Sequence, residues 1–179
     1  MSVSGSIPFI LFGFGVVDSF FESMSGITTT GATVIAGLDD LPKSLLIYRQ
    51  LLQWLGGMGL IVLAIAVMPL LGIGGGQLFK TQTPGPMSEQ RLTPRITSTA
   101  RALWSIYFVL TVLCIFAYRL AGMSYFDAVS HAFSTVSIGG FSTHDLSIGF
   151  FDSLSIEIVC ITFMLLSAMS FAVHYSAIY

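Results

Sequence analysis

Three apolar stretches dominate the pattern along the chain, each long enough for a transmembrane helix of about 20 residues. The first covers 45–71, uncharged from Gln50 onward, with Trp54 near its start and Pro69 near its end. The second covers 102–123 and is broken by Arg119, a side chain able to snorkel to an interface. The third covers 154–173 and carries Glu157 in its opening turns. Pro8 to Val17 is also apolar but too short to span. Between the first two spans, 72–101 reads as the aqueous stretch, rich in glycine and polar residues, with three prolines. It holds Lys80, Arg91, Arg95 and Arg101 against one acid, Glu89, which marks it as a cytoplasmic linker. Lys43, Arg49 and Arg119 then face outside, and 176–179 lie in the cytoplasm.

Two further stretches do not fit a count of simple spans. Asp18–Thr33 reads DSFFESMSGITTTGAT and Asp127–Ser142 reads DAVSHAFSTVSIGGFS. Each starts with an acid, runs for about ten moderately apolar residues and ends in Ser/Thr and Gly, the profile of a re-entrant segment. An ungapped offset of 109 positions (140 minus 31) superposes them, placing Asp18 on Asp127, Ser25 on Ser134, Thr28 on Ser137, Gly31 on Gly140 and Thr33 on Ser142. Only three of the sixteen positions are identical, but the same offset carries Ser44-Leu45 onto Ser153-Leu154, where the following spans begin. The repeating unit is therefore helix, half-helix with loop, helix. The first copy, 1–71, lacks its first helix and has a half-helix at 18–28, a loop at 28–33 and a span at 45–71. The second, 102–179, has a span at 102–123, a half-helix at 125–136, a loop at 137–142 and a span at 154–173. The expected fold is an all-α integral membrane protein.

Non-helical backbone at membrane depth persists only where it is buried in protein or lines water. A loop of Thr, Ser and Gly can aim successive carbonyl oxygens at one axis, glycine supplying positive φ, and such carbonyls can replace the hydration shell of a monovalent cation. A half-helix ending just before the loop adds its negative dipole end, worth about 0.3–2 kcal/mol. Asp18 and Asp127 stabilise the opposite end, and Ser124 with Asp127 has capping-box spacing. Asp18, Glu22 and Asp127 are read as caps or mouth charges rather than ion ligands. His131 is read as a packing residue with local hydrogen bonds, a proton relay being the alternative; His144 falls in a loop and His174 at an interface. Gly56, Gly57 and Gly59 in WLGGMGL permit close helix approach, or a gating hinge, and LLSAMSF in the third span is also rich in small residues. GIGGG at 72–76 lacks a following Lys-Ser/Thr, so it is no phosphate loop. Tyr118, Tyr125 and Tyr175 suit interfacial positions.

Composition agrees with this pattern. The chain is 54% hydrophobic and 9% charged, against about 25% charged in soluble domains, so lipid must cover much of it. A net charge of −2 gives no basic excess for nucleic acid. Cys114 and Cys160 lie in apolar runs without metal-ligand spacing and read as core or lipid-facing residues.

SGITTTGATV, WLGGMGLIVLAIAVMPLLG, QLFKTQTPGP…RLTPRITSTARALW, STVSIGGFSTHD and SFAVHY, in that order, resemble the Trk/Ktr/HKT superfamily of potassium transporters, most closely the bacterial Trk-type uptake subunit. The resemblance implies four repeats in pseudo-fourfold array around a pore, of which this chain holds the first two. It implies potassium as the transported ion, bound mainly by backbone carbonyls of Thr28, Thr29, Thr30, Gly31, Ser137, Ile138, Gly139 and Gly140, with no organic cofactor. It also implies the remaining repeats of the same polypeptide, a homodimer and a cytosolic nucleotide-binding regulatory subunit as partners, and a bacterial inner-membrane location with the loops opening outward. Two other functions compete: an intramembrane hydrolase using Ser23, Ser25 or Ser134 with His131, and a non-conducting scaffold.

Overall fold

A computed structural model describes residues 2–67 and 92–169. Residues 68–71 of the first predicted span, 72–91 of the linker, and everything from 170 onward, including SFAVHY, His174 and Tyr175, lie outside the described residues. The described chain is helical, with no strand among the described residues: α1 (Ser2–Leu11), α2 (Val16–Ile27), α3 (Lys43–Val67), α4 (Leu92–Leu120), α5 (Tyr125–Val136) and α6 (Leu154–Ala168). Short 3-10 turns at Leu38–Asp40 and Ser147–Phe151 precede α3 and α6. At 1.5 Å per residue α3 and α4 are roughly 37 and 43 Å long, enough to cross a bilayer. Among the described residues, Leu103–Leu120 is the one window long and apolar enough to do so by composition as well. The predicted linker is not irregular to its end, because α4 already begins at Leu92.

The 109-residue offset holds in the backbone far better than in the side chains. It carries α2 onto α5 residue for residue, and α1 onto the last ten residues of α4. The turns between them match as well. Phe12, Gly13 and Phe14 donate to the carbonyls of Pro8, Ile10 and Phe9, as Ala121, Gly122 and Met123 donate to those of Ala117, Arg119 and Tyr118. Gly13 and Gly122 both have left-handed φ, +98° and +109°. The first unit therefore does contain the end of its first helix, as α1, and Pro8–Val17 is no single segment. Pro8 obscured this, since an interior proline argues against helix, but it sits where Ala117 sits in α4.

Both short helices start at an acid-bearing first turn. In α5, Ser124 Oγ accepts the Asp127 N–H at 3.2 Å and approaches the Asp127 carboxylate at 2.7 Å, giving the predicted N-cap. In α2, Gly15 occupies the cap position without a side-chain acceptor, and Asp18 lies in the first turn. α3 packs against both short helices, while α1 covers α2 and α4 covers α5. One core gathers Met58, Tyr107, Cys114, Tyr118, Met123, Ala128 and Ala132; the other gathers Phe9, Ile35, Leu38, Leu45, Leu46 and Leu52. Tyr118 is fully buried, its hydroxyl 2.7 Å from Thr135 Oγ1, so it is a core residue rather than an interfacial one. Tyr125 is exposed and carries the Arg119 guanidinium over its ring. Leu11, Val17, Phe116, Leu120 and Leu154 are exposed, an apolar exterior suited to lipid.

Candidate functional site

The chain leaves α2 and α5 through two loops of the same shape. Thr29 and Gly31 take left-handed φ of +54° and +77°; Ile138 and Gly140 take +53° and +84°. A β-branched residue in this region costs about 1–2 kcal/mol, so both loops hold a strained conformation at the same place. The amides of 28, 29 and 30 turn back to the carbonyls of Met24, Gly26 and Ser25; those of 137, 138 and 139 turn back to Phe133, Thr135 and Ser134. These are equivalent bonds at the 109-residue offset. Among the described residues, no protein donor reaches the carbonyl oxygens of 28–31 or 137–140.

The two loops touch. A Cβ on Gly31 would collide with the Gly139 carbonyl oxygen and lie 3.7 Å from the Gly140 Cα. Of the eight residues singled out in the sequence, Gly31 of the first loop thus meets Gly139 and Gly140 of the second. α3 forms the wall behind it. A Cβ on Gly56 would strike the Ile27 carbonyl group, and one on Gly57 would come within 3.0 Å of Ser137 Cβ and the Tyr107 hydroxyl. These two glycines permit α3 to approach the ends of α2 and α5; around Gly59 the space is open.

Residues read differently from sequence complete the site. Arg49 is buried, with Nε donating to Glu22 Oε1 at 2.8 Å and NH2 at 2.6 Å from the same oxygen. NH2 also donates to Thr33 Oγ1 at 3.0 Å and NH1 to the Ser142 carbonyl at 3.3 Å, while the guanidinium lies over the Phe141 ring at 4.4 Å. One side chain of α3 thus ties α2 to the segments following both loops. Glu22 is accordingly neither cap nor mouth charge; it accepts from Arg49, from Thr33 Oγ1 and from the Val34 N–H. An acid in α2 and a base in α3, each within an otherwise apolar segment, are the available sequence signal, since ionisable residues at membrane depth come with partners. Gln53, one turn further along α3, is also buried and accepts the Phe141 N–H at 3.1 Å.

His131 occupies the position equivalent to Glu22, and Ser142 that of Thr33. The His131 Nδ1 lies 2.9 Å from the Asp127 carbonyl, which can only accept, so Nε2 of the neutral ring accepts from Ser142 Oγ at 2.9 Å. Ser142 Oγ in turn accepts the His144 N–H. Each unit thus fastens its short helix to the segment behind its loop, ionically in one and neutrally in the other. The hydrolase reading finds no matching geometry. Ser134 Oγ donates to the His131 carbonyl, Ser23 Oγ to the Ser2 carbonyl, and Ser25 Oγ has no partner among the described residues.

Beyond the loops the two units also meet. Asp145 accepts the Gly37 and Leu38 amides at 3.1 Å, and His144 Nδ1 is hydrogen-bonded to Asp39 while its ring stacks on Phe150. The His144 hydrogen bond holds the Asp39 carboxyl below its ordinary value.

A family model described as TrkH, cation transport protein, matches residues 4–179. The chain belongs to that family. It is 58% identical to the Trk system potassium uptake protein TrkH of Halomonas elongata, over 99% of this chain and 37% of that protein. It is 53% identical to TrkG of Escherichia coli, also a Trk system potassium uptake protein, over 90% of this chain and 33% of that one. The crystal structure of the potassium transporter TrkH from Vibrio parahaemolyticus matches with a TM-score of 0.86 and 53% identity, covering 98% of this chain and 35% of that one. This TrkH-family chain spans about a third of the length of these relatives. Its helical fold matches the corresponding part of that crystal structure, and the two strained loops abut within it.

Proposed function

We propose that this chain forms half of the wall of a potassium-conducting pore, its loops at 28–31 and 137–140 acting as two of four filter segments. The observation that carries this reading is the pair of abutting loops with equal left-handed residues and carbonyls that receive no protein donor. Carbonyls so arranged suit an alkali cation stripped of water, and the relatives named as potassium uptake proteins and a potassium transporter supply the ion. α2 and α5 then enter the membrane from outside as half-helices, directing their negative ends at the ion. The remaining two units of a longer polypeptide complete a pseudo-fourfold ring, with 72–101 on the cytoplasmic side of a bacterial inner membrane. The family resemblance further suggests a homodimer and a cytosolic nucleotide-binding regulatory subunit.

The test is rescue of a potassium-uptake-deficient bacterium by the complete polypeptide that contains this chain. Gly31→Ser and Gly140→Ser should change the preference among potassium, rubidium and sodium. Wild-type preference in both variants would refute the filter assignment, and absence of ion density between the loops in a potassium-soaked crystal would favour a scaffold.

A further inference from the structure

The two loops are braced by different means. In the first, Thr28 Oγ1 donates to the Met24 carbonyl at 2.8 Å and lies 2.7 Å from Thr30 Oγ1, so the loop's own hydroxyls bind it to the end of α2. The second has Ile138 and Gly139 where the first has Thr29 and Thr30. Its remaining hydroxyl, Ser137 Oγ, reaches back to the Ser134 carbonyl at 3.2 Å, leaving 138–140 without a side-chain brace of their own. Two adjacent glycines make this the more deformable of the pair.

Gln53 occupies the missing place. Its side chain is fully buried on α3 of the first unit, yet it reaches the loop of the second. Oε1 accepts the Phe141 N–H, the amide directly after Gly140, at 3.1 Å. A Cβ on Gly139 would run into the same carboxamide, with Nε2 2.7 Å away. Gly139 has no left-handed φ to require glycine. What it provides is room for Gln53. At the 109-residue offset Gln53 falls on Thr162 of α6, which is exposed and donates to its own helix at the Ile158 carbonyl. The device is therefore specific to one side of the pair.

We propose that Gln53 is a positioning residue that sets ion specificity, holding the carbonyls of 138–140 in place from the neighbouring unit as Thr30 helps to hold its own loop. The proposal rests on the filter reading above. Without Oε1 the buried Phe141 N–H loses its partner, a penalty equivalent to about tenfold or more in an equilibrium constant.

The test measures potassium, rubidium and sodium uptake by the complete polypeptide, normalised to its amount in the membrane. Gln53→Leu, similar in size but without an acceptor, should lower the potassium-to-sodium preference about tenfold while rubidium uptake persists. Gly139→Ala should be defective because of the collision, and Gly139→Ala with Gln53→Ala should be less defective than the product of the two single effects. An unchanged preference in Gln53→Leu overturns the proposal, as does independent multiplication in the double variant, which decides the matter should the leucine variant not accumulate. Gly31→Ser and Gly140→Ser run alongside: if they alter preference and Gln53→Leu does not, the brace fails and the filter stands. If none alters it, the filter reading itself fails.

Discussion

Replacing Glu22 by Gln removes one charge and almost no volume, so it acts chiefly on the electrostatic part of the site. The glutamine oxygen can still accept from Thr33 Oγ1 and from Arg49, whereas the Val34 N–H loses the acceptor it finds in Glu22 Oε2. What remains is a guanidinium with 1% side-chain exposure facing a carboxamide instead of a carboxylate. Two unit charges about 4 Å apart at an effective dielectric of about 20 attract by roughly 4 kcal/mol, and breaking a buried pair from one side costs about 3–5 kcal/mol. The Phe141 ring beneath Arg49 does not compensate, because that contact is already present in the wild type. Glu22→Gln should therefore lose about 3–5 kcal/mol in reversible unfolding of the complete polypeptide in mixed micelles. Adding Arg49→Met removes the stranded cation, and the double variant should recover about 2 kcal/mol or more relative to additivity. A loss below about 1 kcal/mol, the scale of an exposed pair, or strict additivity, would refute the view that Arg49 is a desolvated charge held by Glu22.

Gly56→Ala should destabilise by about 1–3 kcal/mol or prevent accumulation, because its Cβ would lie 2.6 Å from the Ile27 carbonyl carbon, while Gly59→Ala should be tolerated. Membrane yield and melting temperature in detergent check both. For the outer contact the sign follows from Asp39, whose pKa lies below its ordinary 3.8 in the folded chain. Its contribution is complete above that value and is lost as pH falls through the lowered one. Spin labels on 36 and 146 should keep one distance from pH 8 to 5 and separate only below the ordinary carboxylate range; separation near pH 6 would point to a different group.

The two short helices were legible because they depend on local pattern: acid, apolar turn, Ser/Thr, Gly. Glycine at 31 and 140 announced positive φ, though Thr29 and Ile138 did not, since nothing in a β-branched residue signals a left-handed backbone. The Arg49 contacts were not legible in the same way. Residues 22, 49 and 142 meet only when α3 closes on both short helices, a contact that no local pattern announces. Tyr118 was misplaced for a related reason: its hydroxyl finds Thr135 rather than water. α1 was hidden by Pro8, and its identity emerged from equivalence with the end of α4.

Within the proposed pore wall, the unlike fastenings at 22 and 131 carry a consequence for how it can be assembled. A ring of identical chains must repeat every buried ion at every station around its axis. Covalent linkage of unlike units lifts that restriction. One station can hold a cation tied across its neighbour, the next can stay electroneutral with an imidazole and a hydroxyl, and each side chain can then be altered alone.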